Sequence, residues 1–233
     1  MRRLAIVPAR GGSKRLPGKN VRLLSQIPLL NHTVDVAREC FDHVIVSSDA
    51  ADVLAVVASA ANVETHLRPP ELATDASKVV DTVSFYFDRC RSHEYEQIWL
   101  CLPSCPLRTC EDIIGGQYLL TPDVDGVVSV TSYEFPPSLA LRIDQGLLKG
   151  LETAHPLACG NSRTQDQPNA YRPNGAFYGM WWRAFSGHRN FYRGKVRAYF
   201  MPRERSVDID TELDIEVAEA LISRRGPPPI IGN

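Results

Sequence analysis

Leu4-Ala5-Ile6-Val7-Pro8 runs directly into Ala9–Asn20, ARGGSKRLPGKN, and the rest of the chain is read outward from this junction. The first five residues are an apolar run of strand length. The next twelve form a glycine-rich loop carrying Arg10, Lys14, Arg15 and Lys19, with Gly11, Gly12 and Gly18 among them. The chain has only five lysines, and two of them sit here, so positive charge is concentrated where the backbone can approach a ligand closely. Such a loop suits an anion with several charges. It is not a Walker A loop: Gly12 to Gly18 is one residue too long for G-x-x-x-x-G-K-[ST], and Lys19 precedes Asn20. G-x-G-x-x-G is absent as well. The alternative, a solvated basic turn, needs neither so many cations nor so much glycine.

Strand and helix signals alternate downstream. Pro28 opens an apolar-periodic helix through Leu29, Leu30, Val34 and Ala37. His43–Ser47 reads as a strand, and Asp49 is placed to cap a helix over Ala51–Ala61. Glu64–Leu67 is a short strand, Val79–Arg91 a helix, and Gln97–Leu102 a buried strand. Thr109 and Asp112 form a capping box before a helix to Leu120, and Gly126–Thr131 is a further strand. This rhythm predicts an α/β fold with a doubly wound, mostly parallel sheet. Such sheets bind ligands at the carboxyl ends of their strands, where Ala9–Asn20, Ser47–Asp49 and Pro103–Arg108 fall.

The rhythm breaks after Ser132. Residues 134–172 hold prolines, a hairpin (Leu139–Ile143, Leu147–Leu151) and the polar stretch SRTQDQPNAYRP. Alternation resumes with Gly175–Met180 and Val196–Met201. A last helix, Glu212–Ser223, follows a second capping box of Thr211 and Asp214, and Pro227–Pro229 reads as a tail. The reading is one domain over 1–233 with an insertion at about 134–172. Pro136, Pro137, Leu139, Leu141, Leu147, Leu148 and Leu151 are more apolar surface than a small hairpin hides. A homodimer, or a higher assembly, is therefore expected.

Composition narrows the class. A net charge of -1 disfavours nucleic acid as the main partner. No apolar run approaches the roughly 20 residues of a membrane span. Met1-Arg2-Arg3 leads straight into a strand without a leader's apolar region, which reads as cytoplasmic. Six cysteines occur without C-x-x-C, and Cys101, Cys105 and Cys110 have no histidine nearby in sequence. Reduced, mostly buried thiols are expected.

A second informative stretch is Arg203–Thr211, RERSVDIDT. In extended chain, Asp208 and Asp210 share a face while Ile209 packs inward. Two readings fit: a carboxylate pair for a hard divalent cation such as Mg²⁺, or acids offsetting a helix dipole. Beside a polyphosphate loop the cation is favoured. Loop, acids and cation together describe nucleotidyl transfer, which relies on positioning and charge neutralisation.

IVPARGGSKRLPGKN, HVIVSSD, LRPPELATDASK, LPSCPLRTCEDI, YRPNGAFY and RERSVDIDTELD, in this order and spacing, resemble the acylneuraminate cytidylyltransferase family, the CMP-sialic acid synthetases. The resemblance runs from Arg3 to about Leu221. It implies a Rossmann-like, nucleotide-diphospho-sugar transferase-like fold, a homodimer and Mg²⁺-dependent transfer of CMP from CTP to a nonulosonic acid. It further implies that Arg10, Gly11, Gly12, Ser13, Lys14, Lys19 and Asn20 hold the nucleotide, with Lys19 at the α-phosphate. By the same resemblance Arg68 and Ser77 lie near base and ribose, and Asp208 and Asp210 hold the metal. Arg10, Lys19, Asp208 and Asp210 would carry catalysis.

Sugar contacts implied by the resemblance are Leu102, Ser104, Arg142, Arg163, Gln165, Asp166, Tyr171 and Asn174. Each has a plainer reading; Arg68, for one, pairs with Glu71 in the plainest. Leu102 stands where the family commonly has glutamine, so a sugar other than N-acetylneuraminic acid, such as legionaminic acid, is a live option. Alternatives are a Kdo-type or pseudaminic acid enzyme, or an inactive nucleotide-binding module on the same fold.

Overall fold

The structure is a computed structural model, describing residues 1–74, 76–90, 94–151 and 155–224. Its strands are β1 (Arg3–Pro8), β2 (Leu23–Leu24), β3 (Ile27–Pro28), β4 (His43–Ser48), β5 (Val63–Leu67), β6 (Gln97–Leu100), β7 (Gly126–Ser132), β8 (Leu141–Asp144), β9 (Leu147–Gly150), β10 (Tyr171–Trp181) and β11 (Val196–Phe200). Its helices are α1 (Leu29–Cys40), α2 (Ala51–Ala55), α3 (Val79–Arg89), α4 (Cys110–Leu119), α5 (Trp182–His188) and α6 (Glu212–Arg224).

Seven strands form one sheet in the order β11-β7-β10-β6-β1-β4-β5. β1 pairs in parallel with β4 and with β6, β4 with β5, and β7 with β11. β4 is the next sheet strand after β1 but lies on one side of it; β6 returns to the other side. The switch point beside β1 therefore opens a crevice at the carboxyl ends, directly over the basic loop. Leu4, Ala5, Ile6 and Val7 are fully buried, as a central parallel strand covered on both faces requires.

β10 departs from the expected direction. It runs antiparallel between β6 and β7. Among the described residues between β7 and β10 there is no α-helix to make a crossover. The chain leaves β7 at its carboxyl end, makes the insertion there, and re-enters the sheet beside Ser132 through Tyr171. Its first residues thus border the ligand end, and its register shifts between Pro173 and Tyr178.

Two apolar layers flank the sheet. Trp99, Phe177, Leu30 and Ile113 lie in one, under α1 and α4. Val83, Phe87, Trp182 and Phe185 lie in the other, under α3 and α5. A third, smaller cluster gathers Leu16, Leu24, Leu29, Leu107, Ile209, Ile215 and Ala218. It ties the basic loop and the acid-pair segment to one patch of α6.

Local signals mostly hold. Thr109 and Asp112 make the capping box of α4. Asp214 Oδ2 accepts from the Thr211 N–H at 2.7 Å and the Thr211 hydroxyl at 2.8 Å. The expected helix 51–61 is shorter, ending at Ala55, and Asp49 does not cap it: the cap residue is Ala50. The end of the expected helix at Arg91 and the tail Pro227–Pro229 lie outside the described residues. All six cysteines are free, yet only Cys101 and Cys105 are buried; Cys159 is exposed. No helix among the described residues is long and apolar enough to cross a membrane.

Candidate active site

The basic loop is fixed from within and from β4. Asn20 is buried and its side-chain amide donates to the Arg10 carbonyl at 2.7 Å, closing the loop on itself. That bond shapes the loop. The Gly11 N–H donates to Asp49 Oδ1 at 3.0 Å. A Cβ on Gly11 would stand 2.6 Å from the Ala50 Cβ, so this glycine admits the neighbouring loop, not a ligand. Gly12 has open space around its Cα and keeps that second option. Gly18 adopts φ 66°, the left-handed turn that brings Lys19 into a 3₁₀ turn aimed at the acid pair.

Asp208 and Asp210 stand as the alternation predicted. Ile209 is fully buried between them, while Asp208 is exposed and Asp210 partly so. The segment is tied down on both sides: the Ile209 N–H donates to the Ser104 carbonyl at 2.7 Å, and Lys19 Nζ donates to the Ile209 carbonyl at 2.9 Å. Lys19 also reaches Asp210 Oδ1 at 3.1 Å, and Arg15 reaches Asp210 Oδ2 at 3.0 Å. Asp214 supports the turn from below, accepting from the Asp210 N–H at 3.0 Å. Burial pushes the Asp214 carboxyl up, but the donors of Thr211 and the Asp210 N–H outweigh it, leaving it below the ordinary range. Upstream, Arg205 clasps the fully buried Asp112 with Nε at 2.8 Å and a terminal nitrogen at 2.7 Å. The capping residue of α4 thereby also anchors the acid-pair segment.

Hard carboxylate oxygens beside a cationic loop fit a small divalent cation in donor chemistry. Among the described residues, no three His, Cys, Asp or Glu side chains converge on one point. A cation held by Asp208 and Asp210 would draw its other ligands from substrate and water.

Next to the loop lies a cavity of ≈ 160 Å³ lined by Arg10, Arg68, Ser77, Lys78, Thr82 and Leu102 among others. Arg68 is buried; its terminal nitrogens donate to the Ser47 carbonyl at 3.2 Å and to the Thr82 hydroxyl at 3.3 Å. Its pairing is thus with β4 and α3 rather than with Glu71. Its Nε is buried without a partner. Burial lowers the guanidinium below the usual arginine range, and Asp49 partly restores it. Ser77 donates to the Glu71 carbonyl at 3.0 Å, which fixes the cavity wall.

The proposed sugar contacts separate into groups. Leu102 lines the cavity with Arg10 and Arg68, and its N–H donates to the Gly175 carbonyl at 3.2 Å. Ser104 enters through its backbone carbonyl. Asn174 is buried and committed to structure: it donates to Ser206 Oγ at 2.9 Å and accepts from the Ala176 N–H at 3.1 Å. The first bond fixes the segment that precedes Gly175 against the acid-pair segment. Arg142 stands exposed on the β8–β9 hairpin opposite Lys149. Arg163 is exposed and 3.8 Å from Asp166. Gln165 and Tyr171 line a separate cavity of ≈ 250 Å³ beside Glu134 and Pro136. Within one protomer, then, the insertion residues do not converge on Asp208.

Sequence reasoning missed four partners. Asp49 was read as a cap, and Arg15 as one loop cation among four. Arg172 and Arg203 were not singled out. Both line a cavity of ≈ 460 Å³ with Ser206, Asp208 and Asp214. Tertiary structure alone brings these four to the site.

A parallel-sheet crevice with a cation-rich loop facing paired carboxylates defines a nucleotidyltransferase-type site. The family model described as "Cytidylyltransferase" matches residues 4–221, and the chain belongs to that family. It is 32% identical over 228 residues to the CMP-N,N'-diacetyllegionaminic acid synthase of Legionella pneumophila, covering 95% of this chain and 97% of that protein. It is 33% identical over 221 residues to an N-acylneuraminate cytidylyltransferase of Streptococcus agalactiae, covering 92% of this chain and 52% of that one. The chain thus spans about half the length of the streptococcal relative. A solved structure of CMP:2-keto-3-deoxy-manno-octonic acid synthetase complexed with CTP superposes with a TM-score of 0.69 at 15% identity, covering 97% of this chain and all of that one. That likeness supports the α/β fold.

Proposed function

We propose that this protein transfers CMP from CTP to the anomeric hydroxyl of a nine-carbon α-keto acid sugar, releasing pyrophosphate. The observation that carries the reading is the junction at Lys19. One ammonium bonds both the Ile209 carbonyl and Asp210, so the phosphate loop and the acid pair are held as one unit. Arg10, Ser13 and Lys14 receive the triphosphate, and Lys19 offers positive charge where the α-phosphate gains negative charge. Arg68 and the wall around Ser77 take the base and ribose. The sugar oxygen bonds the α-phosphorus as the bond to the bridging oxygen breaks. Mg²⁺, held by Asp208 and Asp210, would supply charge neutralisation on the phosphates and a lowered hydroxyl pKa.

For the sugar we favour legionaminic acid. Leu102 offers an apolar wall where an amide would otherwise bond a hydroxyl, and the Legionella relative bears a legionaminic name. A homodimer accompanies this reading. Leu139 is buried within the protomer, but Ile143 is 75%, Leu147 65% and Leu148 69% exposed on the hairpin. A partner covering them would also give Arg163 and Gln165 a route to the neighbour's sugar. The free thiols suit a cytoplasmic setting.

The test is pyrophosphate release from CTP and Mg²⁺ with a panel of legionaminic, N-acetylneuraminic, pseudaminic and Kdo acids. Release with a nine-carbon acid supports the reading. Release with Kdo alone shifts the assignment to the eight-carbon sugar. Absence of release with every acid, despite CTP binding, indicates a nucleotide-binding module.

A further inference from the structure

We infer that Arg172, with Arg203 beside it, recognises the carboxylate of the acceptor sugar, an inference that rests on the reading above. Arg172 and Asn174 lie two residues apart where β10 enters the sheet. Asn174 is bonded to Ser206 in the acid-pair segment. Arg172 lines the ≈ 460 Å³ cavity with Arg203, Ser206, Asp208 and Asp214. This volume lies within the usual range of roughly 300–1,000 Å³ for small-molecule sites.

The two guanidinia differ in commitment. Arg203 is 2.9 Å from Glu134, a pair with both side chains more than half exposed. Arg172 is half-buried, and its guanidinium makes one weak bond, 3.5 Å to the carbonyl of its own neighbour Pro173. Three acids line the cavity, Glu204, Asp208 and Asp214, and Asp214 is already spent on Thr211 and the Asp210 N–H. Asp208 belongs to the proposed metal. An arginine so little used, facing an open cavity, suits a carboxylate, which matches its fork geometry.

The chemistry of the acceptor makes that placement consequential. In a 2-keto acid sugar the carboxylate and the anomeric hydroxyl are borne by adjacent carbons. A guanidinium that fixes the carboxylate therefore also fixes the nucleophilic oxygen, and here it does so on the wall that carries Asp208. Arg142 and Arg163, the cations expected from sequence, have no such place within the protomer. The remaining source of anionic groups is the triphosphate of CTP, and the test separates the two.

KM values for the acid sugar and for CTP are measured for wild type, Arg172→Ala and Arg172→Lys. The C1 amide of the same sugar serves as an uncharged probe, and thermal melts confirm folding. Expected for Arg172→Ala is a rise in sugar KM of roughly 10–100-fold, the value of a charged hydrogen bond. CTP KM should stay within about twofold. Discrimination between acid and amide should shrink by the same factor, and lysine should restore part of it. An unchanged sugar KM, or a rise in CTP KM instead, overturns the inference while leaving the transferase reading intact. Wild type that forms no CMP-sugar overturns that reading and this inference together.

Discussion

Replacing Asp210 by asparagine keeps the side chain's shape and removes one charge, and the structure fixes what that should cost in each currency. For stability, two interactions change. Arg15 loses its carboxylate, but its side chain is 72% exposed, so the pair is worth at most about 1 kcal/mol. Lys19 keeps an acceptor oxygen in asparagine but loses the acceptor's charge, about 1 kcal/mol more. The Ile209 carbonyl remains bonded to Lys19, so the segment stays anchored. The total, about 1–2 kcal/mol, corresponds to a fall in Tm of roughly 2–8 °C for a chain of this size. For turnover, the variant loses one of two carboxylates at the proposed metal. Losing a charge-stabilising group of this kind costs about 10²–10³ in rate. The assay is pyrophosphate release under saturating CTP and sugar with a Mg²⁺ titration, alongside a thermal melt. A near-normal rate with an unchanged Mg²⁺ requirement would show that the pair is structural. A Tm collapse well beyond 10 °C would refute the stability bookkeeping.

Other outcomes follow from the same geometry. Lys19→Met should lower turnover about 10²-fold or more at unchanged sugar KM, read by steady-state kinetics; an effect confined to sugar KM contradicts its place at the phosphates. CTP with Mg²⁺ should raise Tm more than ATP, GTP or UTP, and Arg68→Met should abolish that preference; equal stabilisation by ATP sinks the cytidine assignment. Leu147→Ser with Leu148→Ser should convert a dimer into a monomer in light scattering, and a wild-type monomer at micromolar concentration removes the partner argument. Asp214, with its folded pKa lowered, adds stability that is present above about pH 4 and lost as pH falls through its folded value. Asp214→Asn should therefore be less stable at neutral pH and flatter in Tm across the acid range.

What could be read before the structure was known divides along a physical line. Features carried by local sequence were legible. β1 feeding a glycine-rich loop, the Thr109–Asp112 capping box and the alternation that buries Ile209 between two acids each depend on residues a few positions apart. Features created by the fold's return paths were not. Nothing local marks β10 as antiparallel, because its direction follows from where the insertion releases the chain. Asp49 looked like a helix cap because Asp commonly is one; instead Gly11, 38 residues upstream, takes its carboxylate. The partners of Asn174 are equally nonlocal: a buried amide must find partners, and Ser206, 32 residues downstream, is one of them. Nothing local marks Arg172: an arginine two positions before an asparagine is ordinary until the fold places it on a cavity with Asp208. The small cluster around Ile209, Leu16 and Ile215 holds the segment where Lys19 meets both the Ile209 carbonyl and Asp210. A substitution such as Ile209→Ala should therefore damage the site through position rather than charge: both aspartates and Lys19 remain, but the wedge that presents them is gone.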